Sequence, residues 1–205
     1  MLAKVYSYTL IGLKGIPITV EVDVNNGLPA FEIVGLADTA VKESKERVRT
    51  AIKNSGRAVP TRRLTANLAP ADVKKEGSNL DLALAIGVLK SSGQLIADTD
   101  GIIFLGELSL DGSLRRINGV LPILISALDE GYKTFIIPKG NEIEASFVDG
   151  IDVITVENLT QVIDHLSGLN KLEPISKHDF VQERVRKTYS TDLAFVKGQK
   201  VAKRR

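Results

Sequence analysis

The sequence contains no cysteine. Disulfides, thiolate metal sites and cysteine nucleophiles are therefore excluded, and a reducing cytoplasm is the expected location. Histidine is almost as scarce. His165 and His178 are the only two, 13 positions apart in unrelated contexts, so no histidine metal site is expected. No apolar run reaches the roughly 18 to 20 residues that cross a bilayer. Met1–Leu10 has a single lysine and no small-residue cleavage site after a long apolar core, so neither a signal peptide nor a membrane partner is expected. Three motifs are missing as well: the G-x-x-x-x-G-K-[ST] phosphate loop, the G-x-S-x-G elbow and H-E-x-x-H. Nucleotide binding by a phosphate loop, hydrolase chemistry on a nucleophile elbow and zinc proteolysis are excluded with them.

What is present is an ordinary globular composition. Apolar residues make up 43% and charged residues 25% of 205 positions, the size of one domain or one domain with a tail. The net charge of +2 hides an asymmetry: residues 184–205 carry eight basic side chains against Asp192, +7, which leaves −5 on residues 1–183. Residues 3–10 and 16–24 alternate as strands; Ile16, Ile18, Val20, Val22 and Val24 share one face. Gly12 and Gly15 mark their connection, and residues 30–34 form a third strand. Asp38 or Thr39 caps a helix to about Asn54, stopped by Gly56. Val41, Val48, Ala51 and Ile52 form its apolar stripe, with Lys42–Glu46 and Glu43–Arg47 as i,i+4 pairs outside. Residues 64–68 make a strand. Ser78 and Asp81 have the spacing of a capping box for a helix over 80–92, apolar nearly all round and so buried. Strands are expected at 102–105, 134–138 and 153–156, a hairpin around Gly112, and helices at 120–130 and 141–147. A last helix, capped by Asn158 with Gln161, runs to about 169. The pattern is an α+β (mixed α/β) domain over 1–170, with a basic linker over 171–205.

One segment concentrates positive charge. Residues 42–63 carry Lys42, Lys45, Arg47, Arg49, Lys53, Arg57, Arg62 and Arg63 against Glu43 and Glu46, +6 in 22 residues. Such focusing suits a phosphate-binding surface, so Lys45, Arg49, Lys53, Arg57, Arg62 and Arg63 are the DNA-contact candidates; the alternative is a solvated helix face and polar loop. No aromatic residue interleaves these charges, so base stacking is not indicated.

Three longer stretches carry a resemblance. They are GLPAFEIVGLADTAVKESKERVRTAIKNSG (27–56), LTANLAPADVKKEGSNLDLALAIGVL (64–89) and FLGELSLDGSLRRINGVLPILISALDEGYKTFIIP (104–138). In this order they resemble the N-terminal region of the ComM/YifB family of magnesium-chelatase-like AAA+ proteins, with Ala37 a small departure where the family commonly has proline. DLAFVKGQKVAKR (192–204) resembles the segment that opens the AAA+ module, so the chain is expected to stop short of the phosphate loop.

The resemblance implies a Lon-protease-like (ribosomal protein S5 domain 2-like) fold. For the full-length protein it implies a hexameric ATPase using ATP and Mg, linked to DNA branch migration in natural transformation; within this chain it implies no cofactor. The same stretches resemble, more distantly, the Lon protease domain with its serine–lysine dyad. Asn79, in KEGSNLD, falls at the serine position, and Leu121, counted from GELSLDG, falls at the lysine position. No catalytic residue is therefore expected, and Ser78 reads as a helix cap. Lys74, Lys75 and Glu76, at the rim of the former active site, read as a surface loop, the alternative being a residual ligand or phosphate groove at a helix N-terminus. The leading expectation is an accessory domain supporting ring assembly and DNA engagement. The alternatives are an oligomerisation or protein-interaction module with no nucleic-acid role, and a degenerate peptidase or peptide-binding domain.

Overall fold

A computed structural model describes residues 2–177. Nine strands and five helices form among them: β1 (Ala3–Ile11), β2 (Lys14–Asn25), β3 (Ala30–Val34), α1 (Thr39–Asn54), β4 (Arg63–Ala69), α2 (Asp81–Ser91), β5 (Ile102–Phe104), β6 (Glu107–Leu108), β7 (Leu114–Arg115), α3 (Val120–Asp129), β8 (Thr134–Pro138), α4 (Glu142–Ala145), β9 (Asp152–Val156) and α5 (Leu159–Leu166). Seven strands make one sheet in the order β3-β4-β2-β1-β5-β8-β9, while β6 and β7 pair separately. The β4-β2-β1 pairings are antiparallel; β3-β4 and β1-β5-β8-β9 are parallel. The mixed α/β expectation holds, with a mostly parallel sheet.

Alternation along the strands divides the core between the two sheet faces. Val5, Phe104, Ile136 and Ile154 face one core, which also holds the buried residues of α1 and α2. Ile103, Phe135, Ile137 and Val153 face the other, under α3 and α4. α2 lies on β1 and β2, and ten of its eleven residues are buried. Each leucine or isoleucine buried there contributes roughly 1.5–3 kcal/mol. Gly87 permits the close approach: a Cβ there would stand 2.5 Å from Val22 Cγ2.

Three local expectations are corrected. Ser78 and Asp81 do not form a capping box: α2 has no side-chain cap, the Ser78 hydroxyl donates to Glu107, and the Asp81 carboxylate accepts from Arg47 and from the Leu108 N–H. Arg47 in turn leaves Glu43 for Asp81, which is 1% exposed, because a buried carboxylate needs a partner more than a solvated one does. Lys75 is not on a surface loop. It is 0% exposed, its ammonium donates to the Pro70 carbonyl, and its backbone bonds Leu36 and Asp38.

Burial pushes the Lys75 ammonium below its ordinary pKa. The unfolded chain then binds more protons than the folded one between that depressed value and about 10.4, so stability rises with pH through that window. Lys75→Met keeps the apolar stem and discards the charge, and burying a charge costs more than one hydrogen bond to a carbonyl returns. The variant is expected to match or exceed the native protein by about 1 kcal/mol at about pH 7. Its advantage should shrink by about pH 10, read from urea denaturation. A loss of about 2 kcal/mol at neutral pH would show that the Pro70 bond outweighs desolvation.

The end of the described chain stays on the body. Leu172 N donates to His165 Nδ1 (3.0 Å), Ile175 N to Val153 O (2.8 Å), and Lys177 Nζ to the carbonyls of Val148 and Ile151. The basic run 184–205 lies outside the described residues.

Candidate functional site

Two surfaces hold the residues singled out by sequence. The first begins at α1. Asp38 caps it, Oδ1 accepting from Val41 N at 2.8 Å, and Val41, Val48, Ala51 and Ile52 face the core as expected, joined by Ser44. Lys42, Lys45, Arg49 and Lys53 follow at spacings of three, four and four, which places them on one outward face. Glu46 shares that face and offsets one charge. After Ser55 the chain turns at Gly56 (φ +74°) into the segment 57–62. Gln94 holds this segment as a strand neighbour would. Its Oε1 accepts from Ala58 N (2.9 Å), and its Nε2 donates to Ala58 O (2.7 Å). Arg57 and Arg62 lie on this segment, Arg62 lining a cavity with Val24, Pro60 and Gln94.

The structure removes two cations from the cluster. Arg47 turns inward to Asp81, Nε to Oδ2 at 2.7 Å and Nη2 to Oδ1 at 3.1 Å. Arg63, on β4, grips Glu32 on β3 at 2.9 Å. Among the described residues no carboxylate pairs with Lys42, Lys45, Arg49, Lys53, Arg57 or Arg62. Five of the six DNA-contact candidates are therefore unpaired, and Arg63 is not.

The second surface is a cleft of about 590 Å³ between the end of β1, the start of α1, the turn before α2 and the β7–α3 connection. Asn79 lines it. Its Nδ2 donates to the Tyr8 carbonyl at 2.6 Å, and its own carbonyl accepts from Gly106 N at 3.0 Å. Leu121 is not among the cleft walls; it packs on the core under α3. Ser78 lines the cleft with its hydroxyl on Glu107. The nearby Lys75 is turned away onto Pro70, so no ammonium reaches that serine from it. The lining carries Asp38, Glu76 and Glu107 against Arg116 alone, the wrong balance for a nucleotide phosphate. Among the described residues no group of three His, Asp or Glu side chains is placed to hold a metal ion, and no helix is long and apolar enough to cross a membrane.

Sequence reading missed Thr9, Leu10, Glu107 and Arg116 as cleft residues. Glu107 lies in the GELSLDG stretch, but nothing local places the end of β1 beside it.

Comparison with known proteins follows the same lines. The sequence pattern described as subunit ChlI of Mg-chelatase matches residues 20–141. The chain is 40% identical to competence protein ComM of Haemophilus influenzae over 207 residues, covering 99% of the chain and 40% of that protein. It is 39% identical to uncharacterized protein YifB of Escherichia coli over 204 residues, 99% of the chain and 39% of that protein. It is 29% identical to Lon protease 2 of Bacillus subtilis over 127 residues, 61% of the chain and 22% of that protein. The chain thus spans about 40% of the length of the ComM and YifB relatives.

Proposed function

Because the chain belongs to the Mg-chelatase subunit ChlI family, in its ComM/YifB-like branch, we propose that it is the accessory domain of an AAA+ ATPase that engages DNA through the outer face of α1 and the segment after it. The observation that carries this reading is the run of unpaired cations Lys45, Arg49, Lys53, Arg57 and Arg62, on a body whose first 183 residues are net −5. A positive stripe on a negative body attracts a phosphate backbone in one orientation. ATP and Mg are assigned to the part of the whole protein that this chain does not span, as is hexamer formation by a motor ring. The relative named competence protein supports a role in handling incoming DNA.

The test is fluorescence anisotropy with duplex DNA, using the chain ended after Lys177 so that the basic residues beyond do not contribute. Five neutralised phosphates give a slope of about −4.5 in log K against log salt, so affinity should fall roughly 500-fold from about 50 to about 200 mM salt. Arg57→Ala with Arg62→Ala should reduce that slope by about 2 and weaken unrelated sequences equally, since phosphate contacts carry no base information. Arg63→Ala, whose side chain is held by Glu32, should leave the slope unchanged. If the shortened chain binds no DNA at low salt, the stripe is a solvated face and the oligomerisation-module reading replaces this one.

A further inference from the structure

The central strand of the sheet is longer than one of its neighbours. Tyr6 stands opposite Ile103 in the parallel β1-β5 pairing, and β5 ends at Phe104. By that register Ser7 is the last β1 residue with a strand beside it, and Tyr8 to Ile11 run on alone along that edge. The direction of each peptide group there follows from the β1-β2 hairpin. Its two-residue turn closes on Ile11↔Lys14, so in the alternating antiparallel ladder Leu10↔Gly15 and Tyr8↔Pro17 are the pairs whose peptide groups point away from each other. Three facts agree. Gly15 N donates outward to Ser126 Oγ, Pro17 has no N–H to give, and the Tyr8 carbonyl accepts from Asn79. The N–H and C=O of Leu10 therefore point to the same side as the Tyr8 carbonyl, where Leu10 lines the cleft, and no group among the described residues bonds them. An unpaired strand edge inside a cavity is a template for one more strand.

The walls state what that strand carries. Ile117 and Ile123 supply apolar surface, and Asp38, Glu76 and Glu107 outnumber Arg116. Each of the four already has a partner on the rim: Asp38 accepts from the Val41 N–H, Glu76 pairs with Lys74 at 2.5 Å, Glu107 with Arg115 at 3.6 Å, and Arg116 with Glu144 at 3.5 Å. Counted with those partners, four acids (Asp38, Glu76, Glu107, Glu144) stand against three bases (Lys74, Arg115, Arg116), and the one negative charge in excess is what an added strand meets. We propose that the cleft binds an extended polypeptide segment of alternating basic and apolar residues, added as a strand to β1 through the main chain of Leu10. Asn79 acts as the stop of this edge, filling the Tyr8 carbonyl so that the added strand registers on Leu10. The proposal is independent of the DNA-binding reading, which uses the α1 face.

The test uses the full 205-residue chain, labelled with nitrogen-15, and an acetylated, amidated hexapeptide alternating lysine and valine. Amide resonances of Leu10 and Thr9 and the side-chain amide of Asn79 are expected to shift in a saturable way. The same peptide N-methylated at every residue cannot donate to the strand edge and should bind at least about tenfold more weakly, a comparison that leaves the protein untouched. A glutamate–valine peptide should not move Leu10, even where it binds the basic residues 184–205. Leu10→Pro removes the donor that faces the cleft together with the leucine side chain, and should abolish the shifts at Thr9; the N-methylated peptide tests the main-chain bonding alone. Absence of any Leu10 shift with the lysine–valine peptide would overturn the proposal, as would equal affinity of the N-methylated peptide or an equal response to the acidic one.

Discussion

Arg47→Ala is expected to lower stability by about 3 kcal/mol, among the largest effects of any single charge in the domain. Asp81 is 1% exposed while Arg47 remains 22% exposed, so the substitution strands a carboxylate in the interior with only the Leu108 N–H beside it. Breaking a buried pair from one side costs roughly 3–5 kcal/mol, and the partial exposure of Arg47 sets the lower end. The loss should depend on pH with a definite sign. Burial already pushes the Asp81 carboxyl up to about 6, against the pull of Arg47 and the Leu108 N–H. The folded state therefore binds the proton that the unfolded chain, near 3.9, has released, and this group's contribution to stability falls as pH rises from about 4 to about 6. Without Arg47 the carboxyl rises further. The defect should be greatest at about pH 8 and shrink toward about pH 5, where Asp81 accepts a proton and the buried charge disappears. Urea denaturation midpoints across that range give the answer; a defect below about 1 kcal/mol, or one that grows on acidification, would show that the pair does not hold α1 to α2.

Gly35→Ala is expected to be as severe for a different reason. Gly35 has φ +100°, and a Cβ there would lie 2.2 Å from the Leu68 carbonyl oxygen and 2.9 Å from its carbon. Those atoms are backbone of β4, paired to β3 and β2, and cannot swing aside as a side-chain end does. The strained backbone alone costs about 1–2 kcal/mol, and opening the β3-β4 edge adds to it, so about 3 kcal/mol or more is expected. In a domain of this size that lowers Tm by roughly 6–12 °C. Gly56→Ala is the control, with similarly positive φ (+74°) but nothing within 4 Å; it should cost about 1 kcal/mol. Equal melting of the two variants would show that the Leu68 contact is not rigid.

The features legible in the sequence are those decided within a few residues. The alternation of β2, the Asp38 cap of α1, the Thr134–Pro138 strand and the Asn158 cap, which accepts from Gln161 N at 2.9 Å, all depend on neighbours in the chain. Where a distant partner competes, the local reading fails. Ser78 and Asp81 have capping-box spacing, yet Glu107 and Arg47 take their side chains. Glu43 and Arg47 have helix-pair spacing, yet a buried acid 34 residues away is the stronger attraction. Lys75 looks solvated because lysine usually is, and only the packing of 70–77 under Leu36 and Asp38 hides it. The basic cluster is legible in the sequence, but the pairing of Arg47 with Asp81 and of Arg63 with Glu32, acids from outside it, is not. The cleft was half legible: Asn79 belongs to a motif, while Leu10 enters it only because β1 outruns β5.

The short contact between β1 and β5 also shapes how the domain is assembled in time. The sheet is two units in sequence: β1 to β4 within residues 3–69, and β5, β8 and β9 within residues 102–156. Their direct join is the Tyr6↔Ile103 register and the Ser7 hydroxyl on the Phe104 carbonyl, 97 residues apart. Closing a loop of that length costs about 4 kcal/mol in chain entropy, while the hairpins and crossovers inside each unit form over far shorter spans. The seam is therefore expected to close late, with the apolar helix α2 laid across β1 and β2 and tied through Leu82 N to the Gly106 carbonyl just beyond β5. The slow step of folding is then expected to be the closing of this seam, because the core on the α1–α2 face takes residues from both sides of it, and its rate should follow topology rather than total burial.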